Sequence, residues 1–171
     1  IQNKNKKIKL SFLSADFKKH SVSYFLKDLL INLDKSIFEI SLISNLNVLE
    51  QDELSLDLKN SVDNWYDVEE LSNQDLTKFL RSLNIDVLID LSGFTRGNRF
   101  EVLAMRCAKI QMLWLGYNNS LGLKNVDYLI SDKNLIKSNE FHLYREKIIF
   151  LPKIWNSLSI PKNLPEINND L

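Results

Sequence analysis

The sequence predicts an α/β fold built around a mostly parallel sheet, and three observations carry this prediction. The chain has 171 residues, which corresponds to about one domain at roughly 150 residues each. Strand-like segments alternate with helical patterns along most of its length, which is typical of βαβ units with right-handed crossovers. Ile85–Leu91 is a largely apolar run, as expected of a strand that is covered on both faces.

The first predicted elements are a strand and a helix. Large apolar residues alternate with small or polar ones over Ile8–Ser14, which favours a strand. Apolar residues then recur at helical spacing from Tyr24 to Leu33. Ser21 or Ser23 is the candidate cap of this helix.

The next elements run up to the buried central strand. An alternating segment at 37–43 predicts a second strand, and the weakly periodic, acidic residues 45–63 predict a helix. Ser72–Asp75 has the pattern of a capping box. It begins a helix whose apolar residues share one face as far as Leu83.

The second half of the chain predicts one short helix and three strands. Glycines at 93 and 97 turn the chain after the central strand, and residues 100–105 follow as the helix. The strand candidates are 110–115, 128–131 and 147–151. The tail from Ser159 is polar, contains prolines and lacks periodicity, so it is predicted to be a linker.

Composition excludes several classes of function. The 22 basic and 22 acidic residues balance, which argues against a broad nucleic-acid or membrane-surface footprint. A single cysteine, Cys107, excludes an internal disulfide framework and a multi-cysteine zinc site. The two histidines, His20 and His142, are far apart in sequence, so no built-in metal centre is expected.

No apolar run approaches the ~18 residues that span a bilayer. The polar, basic start is not a signal peptide, and because it begins with Ile we expect a fragment of a longer protein.

In open parallel sheets, ligands bind beyond the carboxyl ends of the strands, where the strand order reverses. The loop before the first helix contains Asp16 and His20. A helix N-terminus favours anionic groups such as phosphate, and histidine exchanges protons near neutral pH. The alternative is a solvated loop histidine, with Asp16 serving as a turn former.

The loop after the central strand places Thr95 and Arg96 between Gly93 and Gly97. The glycines permit positive φ and close backbone approach, and a guanidinium binds phosphate or carboxylate with two hydrogen bonds. The alternative is a tight turn in which Arg96 is solvated or caps a carbonyl.

A third loop after a strand contains Trp114, Tyr117 and the remaining two glycines, so all four glycines of the chain lie in two loops. The aromatic rings are candidates for stacking on a sugar or base. Core packing is the alternative for Trp114, and Cys107 is predicted to be structural.

Together these segments resemble the catalytic region of the protein O-linked N-acetylglucosamine transferases, over roughly residues 8–152. The matching motifs are Ser14-Ala15-Asp16-Phe17-x-x-His20, Asp90-Leu91-Ser92-Gly93-Phe94-Thr95-Arg96-Gly97-Asn98-Arg99, Arg106-x-Ala108-x-Ile110-Gln111-x-x-Trp114-Leu115-Gly116-Tyr117 and Asp127-Tyr128-x-Ile130-x-Asp132.

The resemblance implies the Rossmann-like N-terminal lobe of a B-type (GT-B) glycosyltransferase. Residues 1–7 would be a connector, 8–152 the lobe, and 153–171 a linker toward a C-terminal lobe that supplies most donor contacts. The family transfers N-acetylglucosamine from UDP-GlcNAc to Ser or Thr hydroxyls of proteins, with inversion and without a metal or other cofactor. The resemblance also implies a cytoplasmic location and tetratricopeptide repeats that precede the catalytic region.

Carried over by position, the resemblance assigns His20 as the catalytic residue, a candidate base. The implied substrate-binding residues are Asp16, Gly93, Thr95, Arg96, Gly116, Tyr117, Ser120 and Gly122. Phe94 stands where many bacterial relatives have His, and Asn118-Asn119 replaces a Pro-Gly pair. Two alternatives therefore stay open: a B-type transferase with another donor or acceptor, such as fucose on protein or sugar on a lipid, and a catalytically silent interaction domain.

Overall fold

A computed structural model gives the structure of the chain and describes residues 6–159. Within these residues, seven strands form one sheet in which every neighbouring pair is parallel. The strands are β1 Ile8–Ser14, β2 Phe38–Ser44, β3 Asn64–Asp67, β4 Val87–Asp90, β5 Ile110–Leu113, β6 Tyr128–Ser131 and β7 Lys147–Phe150. The α-helices are α1 Ser21–Asn32, α2 Glu53–Asn60, α3 Asn73–Ser82 and α4 Phe100–Ala104, and two 3₁₀ helices span Val48–Glu50 and Ser138–Leu143.

The strand order is β3-β2-β1-β4-β5-β6-β7. The strands β2 and β3 extend the sheet on one side of β1, and the strands β4 to β7 extend it on the other side. The order therefore reverses between β1 and β4, where Leu13 pairs with Asp90. In open parallel sheets the crevice that binds ligands lies at such a reversal, beyond the carboxyl ends of the two strands. The predicted α/β fold is confirmed.

Alternation along the strands divides the core into two layers. Phe12 of β1 packs on one face with Leu26 of α1 and Leu58 of α2. Leu13, the next residue, packs on the other face, where α3 and α4 supply side chains such as Leu80. Both faces of the central strands are covered, which explains their nearly continuous apolar sequences.

Two predictions about the first half of the chain are wrong. The cap of α1 is His20, whose Nδ1 accepts a hydrogen bond from the Val22 N–H at 3.3 Å. Ser23 is buried instead and donates to the Asp16 carbonyl. The single helix predicted over 45–63 is a 3₁₀ turn followed by α2, because the Asp52 side chain caps a new helix there.

The strand β3 was not predicted. It has four residues at the edge of the sheet, and its burial is intermediate rather than alternating. The other predicted strands and helices are present, with ends that differ by up to three residues.

The described end of the chain lies along α1. The Trp155 N–H donates to Asp132 Oδ2, and the Ser159 N–H donates to the Tyr24 carbonyl at 2.9 Å. This part of the linker predicted over 153–171 is thus tied to the sheet and to α1. Residues 160–171 and residues 1–5 of the predicted connector lie outside the described residues, and the domain limits stay predictions. None of the helices between residues 6 and 159 is long and apolar enough to cross a bilayer.

Candidate functional site

Three loops meet at the carboxyl edge of the sheet, following β1, β4 and β5. A Cβ built on Gly97 would lie 2.5 Å from the Cβ of Ala15, so the first two loops touch. A Cβ on Gly93 would collide with the Tyr117 side chain, so the second loop also touches the third. Direct contacts therefore join the three loops that form one wall of the candidate crevice.

Three of the four glycines carry positive φ: +57° at Gly93, +74° at Gly97 and +66° at Gly122. Gly116 is required for another reason. A Cβ there would overlap the Leu91 carbonyl oxygen and lie 3.4 Å from the Val22 side chain. This position joins the third loop to the base of the second and to the first turn of α1.

His20 is an exposed side chain at the beginning of α1. Its Nδ1 accepts from the Val22 N–H and lies 4.0 Å from Asp16 Oδ2. A neutral imidazole that accepts at Nδ1 carries its proton on Nε2. In this geometry Nε2 is a hydrogen-bond donor, and the Asp16 carboxylate lies beside the ring.

The second loop is folded by its own polar groups. The Thr95 hydroxyl donates to the Ser92 carbonyl at 2.7 Å, so Thr95 shapes the loop. Arg96 is exposed, and it makes no hydrogen bond within residues 6–159. Its positive charge helps to hold the pKa of the Glu50 carboxyl below its ordinary value, although a hydrogen bond from Lys18 is the largest cause. Arg96 is therefore free to bind an anion at the mouth of the crevice.

Arg99 and Asn45 hold this loop in place, and sequence reasoning gave neither residue a role. Arg99 Nε donates to Asn45 Oδ1, and Arg99 Nη1 donates to Asn73 Oδ1, both at 2.8 Å. Asn45 Nδ2 donates in turn to the Gly97 carbonyl. Asn45 lies 54 positions from Arg99, so no spacing pattern could have found the pair.

Asp90, the last residue of β4, is buried beneath the loop. Its Oδ2 accepts from the Gly93 N–H at 2.6 Å, while Oδ1 has no hydrogen-bond partner within the described part of the chain. Burial raises the pKa of Asp90 to about 7, although bonds from the Gly93 and Ser92 N–H groups oppose the rise. The carboxyl therefore holds its proton in the folded state over a pH range in which an unfolded chain releases it.

We expect this group to make folding pH-dependent. The folded-state pKa lies above the ordinary value of 3.8, so the stability that this group contributes is fully present at low pH and is lost as pH rises through 7. Between pH 6 and 8 the contribution lost is about 1 kcal/mol. Asp90→Asn should remove this slope in urea unfolding curves. Because both proteins contain the same histidines, an equal slope in the variant would contradict the assignment.

The third loop packs the half-buried Tyr117 ring against the second loop and bonds its Ser120 hydroxyl to a buried carboxylate. The Tyr117 ring meets Phe94 edge-on at 5.6 Å, and Phe94 likewise meets Phe100 at 5.5 Å. The Ser120 hydroxyl donates to the buried Glu146 at 2.5 Å. Ser120 therefore shapes the loop through Glu146, a residue that sequence reasoning missed because it lies 26 positions away.

The structure places Gly122 in a turn, and it buries Trp114 and Cys107. Gly122 has φ +66° and open space around it, so it serves the turn. Trp114 is buried, and its Nε1 donates to the Trp155 carbonyl, which confirms the core alternative. Cys107 is buried, and burial raises its thiol pKa to about 12, in line with a structural role. No group of three or more residues suited to hold a metal occurs among residues 6–159.

Comparisons with known proteins agree with this architecture. Residues 1–158 match the model of glycosyl transferase family 41. The chain is 30% identical over 148 residues to a protein of Oryza sativa subsp. japonica named probable UDP-N-acetylglucosamine–peptide N-acetylglucosaminyltransferase SPINDLY, covering 84% of the chain and 16% of that protein. It is 27% identical over 153 residues to the UDP-N-acetylglucosamine–peptide N-acetylglucosaminyltransferase of Caenorhabditis elegans, covering 89% and 13%.

A solved structure of an O-GlcNAc transferase mutant from Thermobaculum terrenum superimposes with a TM-score of 0.89 at 29% identity. The match covers 95% of the chain and 31% of that structure. The chain thus spans about a sixth of the length of the curated relatives it matches.

Proposed function

Because this chain belongs to glycosyl transferase family 41, we propose that it forms the N-terminal lobe of a GT-B enzyme that transfers N-acetylglucosamine from UDP-GlcNAc to Ser or Thr hydroxyls of proteins. The proposal rests on the contacts between three loops at the reversal of strand order. There the loops after β1, β4 and β5 touch one another through Gly93, Gly97 and Gly116.

The groups at this crevice suit a nucleotide-linked sugar. The first turn of α1 offers N–H groups and the positive end of the helix dipole to a diphosphate. Arg96 adds an exposed positive charge, and the Tyr117 ring offers a face or edge for a sugar or base. Their combined charge stabilises a leaving diphosphate without a metal ion, so metal-independent transfer is part of the proposal.

We propose an inverting displacement. The acceptor oxygen forms a bond to the anomeric carbon while the bond from that carbon to the phosphate oxygen breaks on the opposite side. The hydroxyl proton passes to a base, and the electron pair leaves with UDP. In the cap-bonded geometry His20 presents Nε2–H, which suits holding the diphosphate or the acceptor oxygen. To act as the base, His20 must first exchange its cap bond for the other tautomer.

The proposal extends to the partners implied by the family. A C-terminal lobe of the same protein would face this crevice and supply most donor contacts. The acceptor is a protein, and we propose that the reaction takes place in the cytoplasm.

Sugar transfer by the complete protein tests the proposal. We expect radiolabelled N-acetylglucosamine to pass from UDP-GlcNAc to acceptor protein equally well with and without EDTA, and the 171-residue chain alone to transfer none. Transfer from GDP-fucose instead would favour another donor, and transfer to lipid another acceptor. A complete protein that neither transfers nor hydrolyses any donor would favour the silent interaction domain, in line with the altered Asn118-Asn119 loop.

A further inference from the structure

A second surface lies at the same edge of the sheet, beyond the carboxyl ends of β2 and β3. It is a depression of about 440 Å³, and we call it the β3 depression. Its lining residues are Asn47, Val48, Leu49, Asp67, Glu69, Glu70 and Leu71. Neither the proposed transfer reaction nor the family motifs use these residues.

The apolar side of the β3 depression is unusually exposed. Leu49 is 93% exposed and Val48 is 60% exposed on the same 3₁₀ turn. The Asn47 side chain caps this turn by accepting from the Leu49 N–H at 2.9 Å, so the local backbone holds the leucine outward. Leucine placed in water in this way stabilises nothing in the described chain, whereas covering it would release a substantial hydrophobic free energy.

The other side is acidic. Asp67, Glu69 and Glu70 line the β3 depression, and none of them pairs with a cation within residues 6–159. Asp67 instead accepts hydrogen bonds from Gln51 and from the Trp65 indole, which fix its position. Three neighbouring negative charges repel nucleic acid and anionic lipid, and they attract lysine and arginine.

We propose that the β3 depression docks a polypeptide segment in which lysine or arginine flanks an apolar side chain. The apolar side chain would cover Leu49, and the cations would face Glu69 and Glu70. The surface is joined to the candidate crevice, because Arg99 Nη2 donates to the Glu69 carbonyl at 2.8 Å. A protein bound here is therefore held beside the crevice. The docking itself does not depend on sugar transfer.

Direct binding to the complete protein tests the inference. The probe is a fluorescein-labelled heptapeptide, Gly-Lys-Leu-Ser-Lys-Leu-Gly, measured by anisotropy without any sugar donor. We expect saturable binding that weakens as salt rises, since exposed charges are screened. Leu49→Ser and the double variant Glu69→Gln/Glu70→Gln should each weaken binding about tenfold. A peptide with glutamate in place of lysine should not bind.

Matched controls separate docking from general adhesion. Leu143 is 63% exposed on the other 3₁₀ helix, near the opposite edge of the sheet, and Asp28 is an exposed acid on α1. Leu143→Ser and Asp28→Asn should bind the probe as the wild type does. The inference is overturned by no binding to the wild type, by equal losses in the control variants, or by equal binding of the glutamate peptide. Because the assay omits the donor, failure of docking and failure of the transfer proposal are distinguishable.

Discussion

Replacing His20 with alanine in the complete enzyme is expected to lower the rate of sugar transfer by about 10²–10⁴-fold, the usual contribution of a positioned proton-transfer group. His20 is exposed at the crevice, at the beginning of α1, and is the histidine that lies in a crevice loop. The loss should fall mainly on kcat if the group acts in the transition state. The measurement is steady-state transfer from UDP-GlcNAc to a protein acceptor.

A second variant separates chemistry from helix capping. His20→Ala also removes the cap that accepts from the Val22 N–H, which costs about 1 kcal/mol of stability. His20→Asn keeps a side-chain acceptor for that N–H but cannot transfer a proton near neutral pH. Both variants should therefore lose transfer, while only His20→Ala should unfold earlier in urea. His142→Ala, at an exposed histidine of the second 3₁₀ helix, should change neither quantity. Near-normal turnover by His20→Asn would remove His20 from the catalytic residues.

The two variants also distinguish a base from a donor. If His20 accepts the hydroxyl proton, His20→Asn and His20→Ala should lose transfer equally, because neither side chain can accept that proton. If His20 donates from Nε2, as its cap bond favours, the remaining activity of His20→Asn should exceed that of His20→Ala, since an asparagine amide also donates hydrogen bonds.

Six of the seven strands among the described residues could be predicted because each carries its own signal. Ile8–Ser14 alternates, and Val87–Asp90 lies in a nearly continuous apolar run, so local patterns were sufficient. Asn64–Asp67 carries no such signal, because an edge strand with intermediate burial does not need alternating apolar residues. The cap of α1 was misassigned because serine is the usual capping residue, whereas here a histidine nitrogen accepts the bond.

The candidate site was predictable only in part, because some of its contacts join residues that are far apart in the chain. The glycines at 93, 97 and 116 could be recognised in the sequence as candidates for close contacts, since such contacts require a residue without a side chain. Whether a hydroxyl is free or bound depends instead on residues far along the chain. Ser120 was assigned to substrate by position, yet its hydroxyl donates to Glu146.

Gly116→Ala is expected to destabilise the chain by about 3 kcal/mol, in the upper range for an overpacked site. The added Cβ would overlap the Leu91 carbonyl oxygen, which belongs to the backbone and cannot move aside as a flexible side chain can. The Leu91 N–H is itself bonded to the Leu13 carbonyl, so relief requires movement of β1 and of the segment that follows β4. Urea unfolding measures the loss.

Gly122→Ala provides the matched control, because both glycines lie in the same loop but differ in what a Cβ would meet. Gly122 has positive φ and no atom within 4 Å of a built Cβ, so alanine there costs only the backbone strain, about 1 kcal/mol. If Gly116 is the joint between the crevice loops, Gly116→Ala should also reduce transfer by the complete enzyme more than Gly122→Ala does, even where both are folded. Equal stability losses would mean that the loops adjust independently, and the crevice would then lack the rigid wall on which positioning of a nucleotide sugar depends.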